Sequence, residues 1–246
     1  MAETFTQRFQ VRFDECAADG TARASTLLRY VIETAFGHSA AEGYPLSWYE
    51  RQGLFWLVRR ARLDLPAPIP YGERLDVTTR VIGFRRIWAR RQNDIRDAEG
   101  ARRGEVTMDW IFTDREGAPA RVLREMEEAF PGLTRALELV RLDLPDPPAD
   151  AGAAALTAPA HLVDPRGHLN SAAYLDLFED GLAEAGVDAQ ARPAVYELEY
   201  LRAATPGEAL RRTVWSSGQG WAMVVAAGTG ALARARREPV RGIESP

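Results

Sequence analysis

The 246-residue chain contains no lysine; all 31 of its basic residues are arginine. Cysteine is nearly as scarce, with Cys16 alone, which excludes a disulfide framework and a thiolate metal cluster. Cys16 reads as small packing material rather than a nucleophile. There are three histidines, none at ligand spacing with cysteine or a paired carboxylate, so no metal site is expected. Long apolar runs are missing too: nothing approaches the ~20 residues that span a bilayer. The start, Met-Ala-Glu-Thr-Phe-Thr-Gln-Arg, lacks the basic and apolar regions of a signal peptide, so a cytoplasmic protein with no membrane association is expected. A net charge of −4 gives no bulk attraction to nucleic acid. Gly218-Gln219-Gly220 joins two strands rather than a strand and a helix, which is no phosphate-binding loop.

What is there instead is the makeup of a globular protein with a substantial core, 46% hydrophobic and 27% charged. A strand around Phe9–Phe13 leads to a turn at Asp19-Gly20. Beyond it Ser25 can cap a helix carrying Leu28, Val31, Ile32, Ala35 and Phe36, which Gly43 can end. Alternating stretches follow at Trp56–Leu65, Leu75–Gly83, Ile87–Ile95 and Glu105–Thr113. The same order then recurs. A helix opened at Ser171, with Tyr174, Leu175, Phe178 and Leu182 on one stripe, precedes strands at Val195–Leu201, Leu210–Ser216, Trp221–Ala227 and Ala231–Arg236. Pro70-Tyr71-Gly72-Glu73 and Thr205-Pro206-Gly207-Glu208 fall at matching places in the two halves. Two such units in tandem imply duplication. The expected division is residues 1–141, a Pro/Ala/Asp-rich linker at 142–160, and residues 161–246, with a short acidic helix over Arg124–Leu139. A long helix wrapped by an antiparallel sheet is the hot-dog arrangement, so the expected class is α+β, a double hot-dog. Such units pair, so two in one chain make a built-in pseudo-dimer; whether two chains then associate is left open.

The densest chemistry lies at Asp164-Pro165-Arg166-Gly167-His168-Leu169-Asn170. Gly167 permits a sharp turn between the acid and the imidazole. Asn170 or Ser171 can cap the helix that follows, whose N-terminal N–H groups and positive dipole end suit a developing oxyanion. Residue types alone equally allow an ordinary capped turn.

With the repeat and the motif both present, the chain resembles the acyl-ACP thioesterases, the plant fatty-acyl-ACP enzymes and their bacterial relatives. The likeness rests on Phe55-Trp56-Leu57-Val58-Arg59-Arg60-Ala61-Arg62-Leu63, Pro70-Tyr71-Gly72-Glu73 and Trp110-Ile111-Phe112-Thr113-Asp114. In the second half it rests on Gly167-His168-Leu169-Asn170-Ser171-Ala172-Ala173-Tyr174 and Leu198-Glu199-Tyr200-Leu201. Asp164-Pro165-Arg166-Gly167 also looks like the Asp-Pro-x-Gly turn of CoA-ester hot-dog thioesterases. The resemblance implies hydrolysis of acyl-ACP with no cofactor. It implies Asp164 and His168 as catalytic residues, with Asn170 either a helix cap or a site donor, and Arg166, Gly167, Tyr174 and Trp56 around the substrate. Two positions depart from the plant pattern. Arg166 stands where that pattern has asparagine, and Ala203-Ala204 where it has glutamate. Glu197 and Glu199 alternate to one face of a strand as substitutes, with a structural role the simpler assignment. In the first half Ala17, Thr21 and Arg23 fall where Asp164, His168 and Asn170 stand, so the expected division of labour is one binding half and one catalytic half. An acyl-CoA thioesterase and a non-catalytic acyl-thioester binding protein remain as alternatives. An arginine patch at Arg85, Arg86, Arg90 and Arg91 is the expected landing surface for an acidic carrier protein.

Overall fold

The computed structural model describes residues 4–130, 138 and 140–239. In the first half β1 (Phe5–Gln10), α1 (Ala24–Ala41) and α2 (Leu46–Gln52) precede β2 (Leu54–Leu65), β3 (Arg74–Arg85), β4 (Trp88–Asp97), β5 (Arg102–Asp114) and α3 (Arg124–Ala129). The second half contributes β6 (Gly152–Thr157), α4 (Ala173–Glu184), β7 (Ala194–Tyr200), β8 (Ala209–Ser217), β9 (Gly220–Ala227) and β10 (Gly230–Pro239). All ten strands form one antiparallel sheet in the order β1-β3-β4-β5-β2-β7-β10-β9-β8-β6, which reads as the same five-strand pattern from either end. This is the double hot-dog, continuous through the β2–β7 seam.

The strands form where apolar residues alternate, because a period of two puts one set on the helix-facing side. In β5, Val106, Met108, Trp110 and Phe112 are all buried. Helix α1 buries more than its apolar stripe: Leu27, Leu28, Tyr30, Val31 and Ala35 are buried, and so are Thr34 and His38. Each large aliphatic side chain enclosed there contributes about 1.5–3 kcal/mol.

The two helices meet across the pseudo-twofold axis. Arg29 and Asp176 each lie nine residues past the glycine of their turn, Gly20 and Gly167, and they pair with each other at 2.6 Å. Ser25 does not cap α1; its hydroxyl donates to Asp176, and Arg23 occupies the cap position. At the seam, Leu63 faces Tyr196 and Ala61 faces Leu198, all four buried. On the other side of the sheet Glu197 is held by Arg60 at 2.7 Å and by Arg236, while Glu199 is held by Arg234.

Three local features differ from the sequence expectation. Residues 142–160 include β6, which pairs with β8 along Gly152–Thr157 and closes the sheet's edge. Its run of alanines lacks the large apolar alternation that announces a strand; the partner's edge makes it one. Helix α2 was not foreseen, although Pro45 sits at its N-cap and Gly53, at φ 66°, terminates it. The acidic helix begins at Arg124 as expected and runs to Ala129; most of its expected remainder lies outside the described residues.

Candidate active site

One turn is built twice. In each copy a single 3-10 turn (Phe13–Glu15, Ala160–Leu162) leads into a tight loop closed by the same backbone hydrogen bonds. Ala17 N donates to Thr21 O and Gly20 N to Ala17 O; Asp164 N donates to His168 O and Gly167 N to Asp164 O. Gly20 and Gly167 sit at φ 80° and 78°, where only glycine is unstrained. Each loop is stitched to the end of a neighbouring segment, Ala22 N to Ile69 O and Leu169 N to Ala204 O.

The contents differ. In the C-terminal copy Asp164 Oδ1 accepts the amides of Arg166 (2.9 Å) and His168 (3.2 Å), which aims the carboxylate and leaves Oδ2 open. The imidazole of His168 makes no hydrogen bond to Asp164, so backbone amides rather than that ring orient the acid. His168, like Asp164, is half-buried at the loop's rim. Arg166 lays its guanidinium over the Phe55 ring, 3.9 Å from the centroid, and so joins this turn to β2 of the other half. Its Nη1 is buried without a partner. Burial pushes the Arg166 guanidinium down from its usual value, with Asp164 pulling the other way.

Asn170 is a cap. Its side-chain oxygen accepts the Ala172 amide at 2.8 Å and its carbonyl the Ala173 amide at 2.9 Å, so helix α4 proper starts two residues beyond Ser171. Of the N–H groups at this helix start, Leu169 N and Asn170 N are spent on Ala204 O and Leu162 O. That leaves Ser171 N without a partner among the described residues. Tyr174 is buried, and its hydroxyl accepts the Ala204 amide at 3.3 Å; it braces the turn from behind and has almost no surface left for a substrate. Tyr200 does the same from β7, donating to Ser171 O at 2.9 Å. The alanines standing where the plant pattern has glutamate therefore lie directly under the motif, as backbone supports.

The first half holds an apolar pocket between α1, α2 and the sheet, lined by Trp56, the residue after the Phe55 that Arg166 covers. The Trp56 ring is tilted against Phe112 with centroids 4.6 Å apart, and Phe36, Phe84, Trp110, Met126 and Phe130 line the pocket with it. Besides the hydroxyls of Ser39, Tyr44 and Tyr49, two nitrogen donors sit in this wall. Arg91, 9% exposed, gives its one hydrogen bond to His38 Nδ1 at 3.0 Å, and the indole nitrogen of Trp110 has no partner. Sequence reading missed both. The alternation of β4 held the signal, since Ala89, Arg91, Asn93 and Ile95 are in phase and all buried. That same alternation breaks up the expected arginine patch. Arg90 faces the other side, bound to Asp109 at 2.5 and 2.9 Å, and only Arg85 and Arg86 are exposed, at the hairpin.

The remaining candidates are structural or peripheral. Glu197 and Glu199 belong to the seam ion pairs, away from the turn's hydrogen bonds. His38 is buried beside Arg91, His161 is exposed, and Cys16 is buried, its thiol pushed up chiefly by that burial. In the N-terminal copy of the turn Ala17 replaces the acid. Asp19, two positions on, is tied to the amide and hydroxyl of Thr21 at 2.9 and 2.8 Å.

A sheet of this order wrapped on two helices defines a tandem hot-dog protein. Residues 2–130 match the family described as the acyl-ACP thioesterase N-terminal domain. The chain belongs to that family. It is 26% identical over 192 residues to the chloroplastic acyl-(acyl-carrier-protein) hydrolase FATB2 of Cuphea viscosissima, covering 70% of this chain but 45% of that protein. The chain thus spans under half the length of this curated relative. In fold it is similar to the 12:0-ACP thioesterase from Umbellularia californica (TM-score 0.81, 19% identity, 97% of each chain). It is likewise similar to an acyl-ACP thioesterase from Bacteroides thetaiotaomicron (TM-score 0.77, 17% identity, 97% of this chain and 99% of that one).

Proposed function

We propose that the chain hydrolyses an acyl thioester presented by acyl carrier protein, with the C-terminal half supplying the chemistry and the N-terminal half holding the acyl chain. The observation that carries this is the asymmetry of the two turns. The same hydrogen-bonded loop occurs twice, and only the C-terminal copy, which touches β2 through Arg166, opens the loop with a carboxylate held by two backbone amides; the N-terminal copy has Ala17 there, and its Asp19 is tied to Thr21. Asp164 Oδ2 takes a proton from water as the water oxygen bonds to the thioester carbon. The oxyanion so formed faces Ser171 N and the Arg166 guanidinium. Collapse breaks the C–S bond, and the thiolate leaves with a proton from solvent or His168. Gly167 keeps the loop tight enough for these groups to share one carbonyl. The space between the pocket's side chains is about 30 Å³, so an acyl chain enters as the rim ring Phe36, 41% exposed, swings outward.

The family supports acyl carrier protein as the carrier, and a single buried cysteine suits a reducing compartment. No described helix is long and apolar enough to cross a membrane. Purified protein incubated with matched acyl-ACP and acyl-CoA esters, with free thiol followed over time, tests the reading. Release from acyl-ACP supports it, and release from acyl-CoA alone moves the carrier assignment. Binding of either ester without thiol release identifies an accessory binding protein instead. Single turnover in oxygen-labelled water separates base from nucleophile, because only an anhydride route can leave label in Asp164.

A further inference from the structure

The pocket is apolar on most of its wall, yet the Arg91 guanidinium and the Trp110 ring nitrogen face it with no anion beside them; the other polar groups of the lining are the hydroxyls of Ser39, Tyr44 and Tyr49. Arg91 is 9% exposed and forms no ion pair among the described residues; its single hydrogen bond is the one to His38 Nδ1. Phe130 stacks near its guanidinium, 5.8 Å from the ring centroid, and Tyr49 is the one other polar group that bears on its charge. Trp110 is 5% exposed, and its ring nitrogen is buried without a partner. A buried cation is kept only where something compensates it, since removal from water costs several kcal/mol. Every other arginine buried to this degree has an acceptor that does so: Arg212 pairs with Glu184 and Leu177 O, and Arg237 reaches Ala191 O at 2.6 Å. Burial pushes Arg91 down to about 10, so it still carries its charge at neutral pH.

We propose that the missing acceptor is part of the substrate: the acyl chain held here ends in a carboxylate, which pairs with Arg91 and takes the Trp110 N–H. A plain methyl end would leave the Arg91 charge without an anion and the Trp110 N–H without an acceptor, and the surrounding aromatic rings contact the methylenes of either chain equally well. An anion is favoured over a neutral oxygen because only a charge neutralises the guanidinium. This rests on the thioesterase reading above, and the experiment keeps the two apart.

Two measurements are made on the wild-type protein, Arg91→Met and Trp110→Phe. The first is kcat/KM on acyl-ACP esters of equal length ending in methyl, hydroxyl or carboxylate. The second is the thermal shift given by free dicarboxylic and monocarboxylic acids of that length. Wild type should prefer the carboxylate-ended ester by about tenfold or more, the worth of one charged hydrogen bond. Arg91→Met should reverse that order, and Trp110→Phe should narrow it a few-fold. The diacid should raise Tm for wild type more than the monoacid does, and Arg91→Met should abolish the difference. Arg91→Met without ligand should be no less stable than wild type, because it removes an uncompensated buried charge; should it fail to fold, Trp110→Phe carries the test. Equal rates on methyl-ended and carboxylate-ended esters, with equal shifts from both acids, overturn the proposal. A preference for the hydroxyl-ended ester overturns the charge assignment. If no ester is cleaved but the diacid-specific shift appears and vanishes in Arg91→Met, the hydrolase reading has failed and the pocket assignment stands.

Discussion

The turn at Asp164 and the turn at Ala17 share a backbone and part company in their surroundings. The first lies against an aromatic strand, where Arg166 covers Phe55 and Trp56 opens into an apolar pocket. The second opens on a wide cleft lined by Arg12, Glu15, Asp19, Arg29, Asp176 and Asp180. Acidic residues are plentiful there. Asp180 is held above its usual range chiefly by burial, and Glu15 accepts the Tyr30 hydroxyl. Its charged side chains keep that cleft better hydrated than the aromatic pocket, although Leu162, Ala183 and Val187 also line it. Both halves thus keep the loop, and the reading proposed above requires the loop and an apolar neighbour together. That neighbour comes from the opposite half of the chain.

The comparison breaks most decisively at the acid. Asp164→Asn should lower kcat by ~10²-fold or more with the fold intact, because an amide is neither base nor useful nucleophile. Thr21→Ala should leave it nearly unchanged. A steady-state assay with circular dichroism as the folding control decides, and the opposite pattern would place the site in the wrong half. Arg166→Ala should come next, a loss of about tenfold in kcat/KM from one removed charged donor. Phe55→Leu should cost less, since it removes only the platform. Identical rates for Arg166→Ala and wild type would reduce Arg166 to a packing residue.

The seam that joins the halves can be tested by pH. Burial raises Glu197, but Arg236 and Arg60 outweigh it and hold the carboxyl below its usual range. A depressed folded pKa contributes stability that is present above the unfolded value, ~4.3, and lost as pH falls through the folded one. Tm should therefore drop on acidification below that value. Glu197→Gln should flatten this part of the curve while costing about 2–4 kcal/mol at neutral pH, because two arginines lose their anion. A variant curve parallel to wild type would remove Glu197 from the seam's energetics. The smallest effect sharpens the contrast between the turns. Ala17→Asp with Thr21→His restores the residue types of the active turn in the wrong place, and no activity should be gained when it is made in the Asp164→Asn background. Any rescue would show that loop chemistry suffices without the pocket.

Much of this was legible in the residues. Strand alternation located eight of the ten strands, because a period of two marks a half-buried sheet whatever it packs against; a ninth, β1, runs over Phe5–Gln10, ahead of the expected Phe9–Phe13, whose end forms a 3-10 turn. The tenth, β6, was hidden because alanines leave no amphipathic trace. Helix α1 was legible as a helix, but the burial of its polar Thr34 and His38 alongside the apolar stripe was not. Asp164, Gly167 and His168 stood out through their spacing in one tight turn. The hydrogen bonds that use up Leu169 N, Asn170 N and the Tyr174 hydroxyl were invisible, since each partner lies far along the chain or across the loop.

Local chemistry is what this sequence determined by itself: two copies of a glycine turn, the helix and strand periods around them, and the loss of the acid from one copy. These depend on neighbours within a few residues, where backbone sterics and side-chain period act directly. Tertiary structure alone decided that β2 meets β7, that Phe55 of one half lies beneath Arg166 of the other, and that Arg91 is enclosed by aromatic rings instead of joining a surface patch. Those outcomes turn on which faces the closed ten-stranded sheet leaves to water and which it folds around its helices. No stretch of a few residues carries that information.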